Sequence, residues 1–375
     1  FPPGAAPLGS IHADAIRTRH TGVLEALLAI GGRDGARREP NAIPIALGLK
    51  TKSGGARIDF PGFFRTSPPA LQVAIDGTLP FAADGLKPAD LAPEAAKLLE
   101  RAVGTVTLKG GVKAGRGPPT FNVRVATESL DLVTATGVPI EGLAFSADVR
   151  GPSPLRTGEH TLRFRTANLI GPFEDGTVRW RLRGTDLEVL AAEWSYAGGR
   201  CTTAGHFDLT AKEWPFTVDV AGVSLEQLLA QLEIADLAGS GSLSGALPLV
   251  FDGTRLRVEG GVLTAAPPGG VVRYAPASAA PGSLGLGGDV DVLAGALEDF
   301  HYDKLRMTLT GALDGDVEVG LEIDGKNPRY EGGRPIELNV KVETNLPALL
   351  RASRSVSGVP EVIERRLRGR VPEDE

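Results

Sequence analysis

One cysteine, Cys201, in 375 residues rules out an internal disulfide and a multi-cysteine metal site, and it leaves the redox compartment open. Long apolar runs are missing as well. The longest helical candidate, Val23 to Ile30, is interrupted by Glu25 and flanked by Gly22 and Gly31, far short of the ~20 residues a membrane-spanning helix needs. The five histidines, His12, His20, His160, His206 and His301, show none of the short-spaced pairings that metal sites favour. Basic charge is not in excess: 40 Lys and Arg against 46 Asp and Glu give a net charge of -6, so the total suggests no polycationic face for nucleic acid. The chain opens on Phe1-Pro2-Pro3-Gly4 with no charged segment leading into an apolar one, so no signal peptide is expected and the chain reads as a fragment lacking an upstream part.

What is present is a core-forming composition cut by many turns. Hydrophobic residues make up 42%, enough to bury a core, while 49 glycines and 28 prolines break the chain into short segments. The length fits two or three globular domains or one elongated β array. Within these segments the patterning has period two. From Asp316 to Asp324, Val317, Val319, Leu321 and Ile323 alternate with Asp316, Glu318, Gly320, Glu322 and Asp324. The same alternation runs through Leu243, Leu247, Leu249 and Phe251, through Leu305, Met307 and Leu309, and through Ile336, Leu338, Val340 and Val342. Such a pattern predicts half-buried antiparallel strands with one apolar and one charged face.

Similar strands are expected earlier: Ile43, Ile45, Leu47 and Leu49 share a face, as do Phe121, Val123 and Val125, and Val178, Trp180 and Leu182 alternate with Arg179, Arg181 and Arg183. Pro44 belongs at an edge or a strand start, because it cannot donate to a ladder. Three short capped helices punctuate the sheet, with Asp90, Ser224 and Asn345 at their N-caps. After the first two, Gly104, Leu108 and Gly110 match Gly239, Leu243 and Gly245 at a constant offset of 135, which points to an internal repeat. Linkers are expected at Gly151 to Gly158, Ala265 to Gly270 and Ala275 to Gly288.

Chemistry-bearing groups are sparse. The nearest thing to an active site is Glu298, Asp299, His301 and Asp303, of which the last three fall on one side of a strand and have the donor types for a cation or for acid-base work, but with no second histidine nearby a solvated strand face accounts for them, opposite Phe300, Tyr302 and the stem of Lys304. Cys201 with His206 has the elements of a nucleophile and base, yet a small buried hydrophobe is the simpler reading. Gly282 to Gly288 does not fit a phosphate-binding glycine loop, and Gly241 to Gly245 places Leu243 where a nucleophile would stand. The Arg179, Arg181 and Arg183 row reads as a solvated face, with anionic lipid headgroups as the alternative. An amphipathic helix is expected at Val359 to Arg370. No catalytic residue, metal or cofactor is assigned, and the protein is read as a non-enzyme.

The order of motifs in the last third carries a likeness. An Ala-Pro-Pro-Gly-Gly turn leads to a strand ending in Tyr274; Ala-Leu-Glu-Asp-Phe-His-Tyr-Asp and Leu305 follow; then come Gly325-Lys326-Asn327-Pro328 and Leu346-Pro347-Ala348-Leu349-Leu350. Together, over Val223 to Arg354, these resemble the C-terminal domain of the YdbH family, in the AsmA-like group with TamB. The resemblance implies a mainly β fold, an elongated, curved antiparallel β-sheet groove with a few short helices, divided as residues 1–222 and a continuous C-terminal domain 223–375. It implies intermembrane phospholipid transport in the periplasm from inner to outer membrane, with an inner-membrane anchor upstream of this chain. It also implies a small outer-membrane lipoprotein partner, bound by β-augmentation at Asp316 to Asp324 and Ile336 to Glu343. The groove would be lined by Leu243, Leu247, Leu249, Phe251, Leu305, Met307, Leu309, Val317, Val319, Leu321, Ile323, Ile336, Leu338 and Val340. Alternation alone is equally consistent with a β-sandwich or a structural or adhesive β-solenoid scaffold with a closed core.

Overall fold

A computed structural model describes residues 9–16, 24–30, 42–51, 55–91, 93–151, 154–232, 237–274, 296–330 and 332–345. Among them are 21 strands and two short α-helices, so the chain is mainly β. Every strand pair with a described register is antiparallel. The chain falls into two compact units, the first comprising Phe1–Asn168, Asp175–Leu190 and His206–Thr210, the second Leu169–Glu174, Ala191–Gly205 and Ala211–Glu375.

The first unit begins as a meander in which each strand pairs with the next: β1 (Gly9–Ile16), β2 (Leu24–Ile30), β3 (Ala42–Thr51), β4 (Arg57–Thr66), β5 (Pro69–Phe81), β6 (Leu99–Ala114), β7 (Thr120–Thr134) and β8 (Pro139–Gly151). Both β9 (Arg156–Thr157) and β10 (His160–Asn168) pair with β8, and Arg183, the last residue of β11 (Pro172–Arg183), pairs with Arg156. The core of this unit joins Ala56, Leu79, Leu86, Ala102, Val106, Leu130 and Leu132. Of the segment Val23 to Ile30, expected as a helical candidate, Leu24–Ile30 is strand β2 and Val23 lies outside the described residues. An isolated helix of that length is marginal, whereas β1 and β3 supply it with ladder partners on both sides. Pro44 lies near the start of β3, beyond Ile45, the last β3 residue that β2 reaches, so no β2 acceptor is left waiting for its missing N–H.

The expected linker Gly151 to Gly158 contains strand β9, while Ala265 to Gly270 is a turn as expected; Ala275 to Gly288 lies outside the described residues. Of the three capped helices, α1 (Pro88–Leu91) is a single turn followed by a 3-10 turn, Pro93–Lys97, and Leu99 already belongs to β6. Asp90 is not its N-cap: it sits inside the first turn and accepts from the Lys87 N–H at 2.9 Å. In α2 (Leu225–Leu232) Ser224 does cap, its Oγ accepting from the Gln227 N–H at 3.3 Å. Asn345 closes a strand; the helix expected after it, like that at Val359 to Arg370, lies outside the described residues.

The second unit takes in parts of β11, β12 (Asp186–Tyr196) and β13 (Gly199–Asp208), and then β14 (Trp214–Ser224), β15 (Leu237–Gly239), β16 (Ser242–Phe251), β17 (Leu256–Ala265), β18 (Gly270–Tyr274), β19 (Phe300–Ala312), β20 (Asp316–Lys326) and β21 (Pro335–Asn345). Its ladder runs β13, β14, β16, β17, β19, β20, β21, and the short β15 and β18 extend it beside the first residues of β19. The predicted alternation is clear on β20, with Val317 and Ile323 buried while Glu318 and Glu322 are exposed, whereas β16 buries the adjacent Leu249 and Val250. A bulge between Tyr302 and Lys304 shifts the inward phase of β19 from even to odd positions, so Phe300 and Tyr302 share a face with Leu305 and Met307. It also turns Lys304 outward to Asp324 at 3.3 Å, in contrast to the expectation that its stem would lie on the apolar face.

Two of the three spaced pairs that suggested a repeat have similar surroundings, though the close approach at the glycines is shared by Gly62 and Gly325 outside it. A methyl group on Gly110 would stand 2.0 Å from the Asn122 carbonyl oxygen, and one on Gly245 would stand 2.0 Å from that of Val262. Leu108 and Leu243, two residues earlier, each join the core of their own unit. Gly104 and Gly239 differ: the first has a positive φ of 135°, while the second makes room for Leu225 and Leu229 of α2.

The β16–β17 hairpin turns on Asp252, whose Oδ1 accepts from the N–H groups of Arg255 (2.7 Å) and Thr254 (2.9 Å) and from the Thr254 hydroxyl (2.8 Å). These bonds, that of the Arg255 amide first, lower its carboxyl to about 2. Because the folded value is depressed, this contribution is complete above the ordinary value of 3.8 and disappears as pH falls towards 2. Asp252→Asn is expected to flatten the denaturation midpoint against pH in that window, and an unchanged acid limb would contradict the assignment.

Candidate lipid-binding face

The register of the second unit carries its inward side chains into rows across the strands. One row runs Phe216, Leu249, Val258, Gly311, Val317 and Thr344; another runs Val220, Gly245, Leu263, Met307, Leu321 and Val340. Leu309, Val319 and Val342 lie in register between them, and Leu305, Ile323 and Leu338 form the next row on the far side of Met307. The predicted lining residues are thereby brought onto one face. Leu243, Leu249, Leu305 and Ile323 are buried in one apolar cluster, against which Leu247, Met307, Leu309, Leu321, Ile336 and Leu338 pack half-buried. Val317 is also buried, and Val319, Val340 and Phe251 are half-buried, Phe251 lying 5.7 Å from Trp214 between ring centres.

Both ends of this face are filled. At one end Phe300 (0% exposed), Tyr302 (1%) and Leu243 (0%) meet Leu225 of α2 and Leu297. The Tyr302 hydroxyl donates to the Ser240 carbonyl at 2.7 Å. At the other end Val258 and Val317 are covered together with Leu313. Between them, on β19, β20 and β21, Met307, Leu309, Val319, Leu321, Val340 and Val342 all remain half-buried. The opposite face is charged and matched across strands, with Lys304 opposite Asp324 and Arg306 opposite Glu322. Such exposed pairs contribute about 0–1 kcal/mol each, so they mark the wet side more than they hold the sheet.

One aromatic group on the apolar side is not among the residues the sequence pattern singles out. Phe173 stands 5.8 Å from Trp194 and 5.1 Å, edge to face, from Tyr196. Trp194 and Tyr196, two apart on β12, carry the signal. The Tyr196 hydroxyl donates to the Ile170 carbonyl at 3.4 Å, and burial pushes its pKa up to about 12. The ring nitrogen of Trp194 is buried with no hydrogen-bond partner among the described residues.

The candidate chemical groups come out as follows. His301 and Asp303 are exposed; His301 Nε2 lies 3.4 Å from Asp299 Oδ2, and Arg273 Nε holds Oδ1 of the same carboxylate at 3.0 Å. The Arg273 hydrogen bond keeps Asp299 below the usual carboxylate value against the opposing effect of burial, and a weaker hydrogen bond from His301 adds to it. Among the described residues no group of three or more His, Cys, Asp and Glu side chains is placed to hold a metal. Cys201 is buried and burial raises its thiol to about 11, which suits a packed side chain and not a thiolate nucleophile. His206 is exposed, 3.9 Å from Glu188 Oε1.

The family profile described as intermembrane phospholipid transport protein YdbH matches residues 63–368. The chain belongs to the YdbH-like family. In this YdbH-like chain the match reaches well upstream of Val223, where the recognisable motifs begin, and takes in the apolar faces of both units. No curated protein and no solved structure matches it. Among the described residues no helix is long and apolar enough to cross a membrane.

Proposed function

We propose that the apolar face of the second unit is a lipid-carrying surface and that the protein conducts phospholipid between two membranes through the periplasm. The observation that carries this reading is the burial along β20. This strand is paired on both sides, so edge effects do not act on it, yet its middle inward residues Val319 and Leu321 are only partly buried while the outer ones, Val317 (3%) and Ile323 (6%), are fully buried. A closed sandwich buries the middle of a central strand most deeply. An open trough with filled ends has the reverse profile.

The chemistry needs no catalytic group. A sixteen-carbon acyl chain in water forfeits roughly 0.8 kcal/mol per methylene, hence about 13 kcal/mol, which a continuous apolar surface removes while the headgroup stays hydrated. The family description supports the same substrate class. A lipoprotein partner adding a strand would meet β21 and not β20: β20 already has two neighbours, whereas β21 is paired with β20 alone among the described strands. Native mass spectrometry of the purified chain tests the reading. Copurifying phospholipid is expected, and a lipid-free chain after extraction from membranes would favour the structural scaffold with a closed core.

A further inference from the structure

On the charged face some cations stand opposite a carboxylate, as Arg124 does opposite Asp148 (2.9 Å) in the first unit, and some like charges also meet in pairs, as Lys109 and Arg124 do. One row brings three cations together. Arg150 on β8 pairs in register with Arg156 on β9, and Arg156 pairs in register with Arg183 on β11, so three guanidinium groups stand side by side on adjacent strands. All three are exposed, and among the described residues none has a carboxylate within ion-pair distance. The nearest acids make their close contacts elsewhere and reach the row only at longer range, Asp148 being lowered slightly by Arg150 and Glu188 by Arg183. Asp148 is bonded twice to Arg124, Glu188 and Glu159 face Arg181, and Asp186, just past the β11 turn, makes no ion pair within 4.0 Å among the described residues. Like charges directly opposite one another destabilise a sheet, so a row of three calls for an anion from outside.

Its place in the fold says which anion. The row lies at the rim, where β8 ends at Gly151 and β11 ends at Arg183 itself. Leu155, next to Arg156, is exposed (42%), its carbonyl accepting from the Gly184 N–H at 2.6 Å. On the other face of the same strands are Val149, Leu182 and Trp180, whose buried ring N–H has no acceptor among the described residues. Arginines beside an exposed leucine at the lip of an apolar face match a molecule whose phosphate and acyl chain are joined. Neither inorganic phosphate nor an acidic peptide needs that combination. We propose that Arg150, Arg156 and Arg183 form a binding row for the phosphate of a phospholipid whose acyl chains occupy the apolar face of these strands, each guanidinium offering paired N–H donors to phosphate oxygens. The inference rests on the lipid-carrying reading above, extends it to the apolar face of the first unit, where this row lies, and names the headgroup chemistry.

The test compares, on the full chain, retention of phosphatidylglycerol with that of diacylglycerol of the same chains, which lacks the phosphate. Wild type is expected to retain the phospholipid preferentially, and Arg150→Gln/Arg156→Gln/Arg183→Gln is expected to lower its retention about tenfold while leaving diacylglycerol unchanged. Removing three paired arginines instead, Arg57, Arg124 and Arg200, is expected to leave the preference intact. Equal retention of phosphatidylglycerol by wild type and the triple variant overturns the proposal. So does an equal loss of both lipids, or an equal loss in the paired-arginine control. Inorganic phosphate that displaces no lipid yet protects the row from arginine-directed modification would assign a free-phosphate site and overturn the headgroup role. Failure of wild type to retain diacylglycerol would instead count against the lipid-carrying face itself, so the two readings fail separately.

Discussion

Leu321→Asp is expected to give a folded protein that has lost its lipid. Leu321 is half-buried, stands opposite Met307 and Val340 on a strand paired on both sides, and takes only a partial share in the core. A carboxylate there keeps access to water, at a stability cost of about 1–2 kcal/mol for the lost apolar contact. An acyl chain passing the same point must either strip that carboxylate of water or retreat from it. If about three methylenes are held off, occupancy falls by about 2.4 kcal/mol, or roughly fiftyfold. Photocrosslinking to a lipid probe, with circular dichroism as the control for folding, reads the effect, and undiminished crosslinking by the folded variant would remove the main support for a trough. Leu249 and Ile323 look identical in the sequence but are 5% and 6% exposed, and a charge at either should unfold the unit before transport can be measured.

Gly245→Ala is the second large effect. The glycine lies on β16 between Val220 of β14 and Leu263 of β17, and an added methyl would meet the Val262 oxygen at 2.0 Å and the Leu263 Cα at 3.0 Å. These are backbone atoms inside a paired ladder, so no side chain can swing away to relieve the clash. The strands must separate, and the cost should reach the upper end of overpacking, about 3 kcal/mol. Gly110→Ala in the first unit should behave in the same way, since its methyl would stand 2.0 Å from the Asn122 oxygen. At Gly117 an added methyl would meet no atom within 4 Å and φ is not positive, so alanine should be accepted there within about 0.5 kcal/mol. Urea midpoints measure all three, and equal midpoints would show that the close approach of strands at Gly110 and Gly245 is not a requirement of the fold.

Strand identity and facing are legible in the sequence because the period-two signal is local. Val317, Val319, Leu321 and Ile323 cannot all lie on one side of anything but an extended chain, and they do share a face. The same locality explains Ser224, whose side chain reaches only its own helix. Val23 to Ile30 reads as a helix only because a short apolar stretch does not say whether partners wait on either side of it, and here β1 and β3 do. The outward turn of Lys304 has a related cause: a bulge adds one residue to one strand, and the partner, not the pattern, decides where. Phe173, Trp194 and Tyr196 do not stand out as a group in the sequence because Phe173 lies on a different strand, and only the fold brings it near.

The amino-acid order by itself determined that this protein is built of amphipathic strands, which residues face which way where no bulge intervenes, and the family likeness, because each of these rests on neighbours within a few positions. Tertiary structure alone decided how deeply each inward residue is covered, separating buried Ile323 from half-open Leu321, and alone brought Arg150, Arg156 and Arg183 into register. Coverage and register are set by strands far apart in the chain, and alternation, which repeats identically whether a face is sealed or open, carries no record of them.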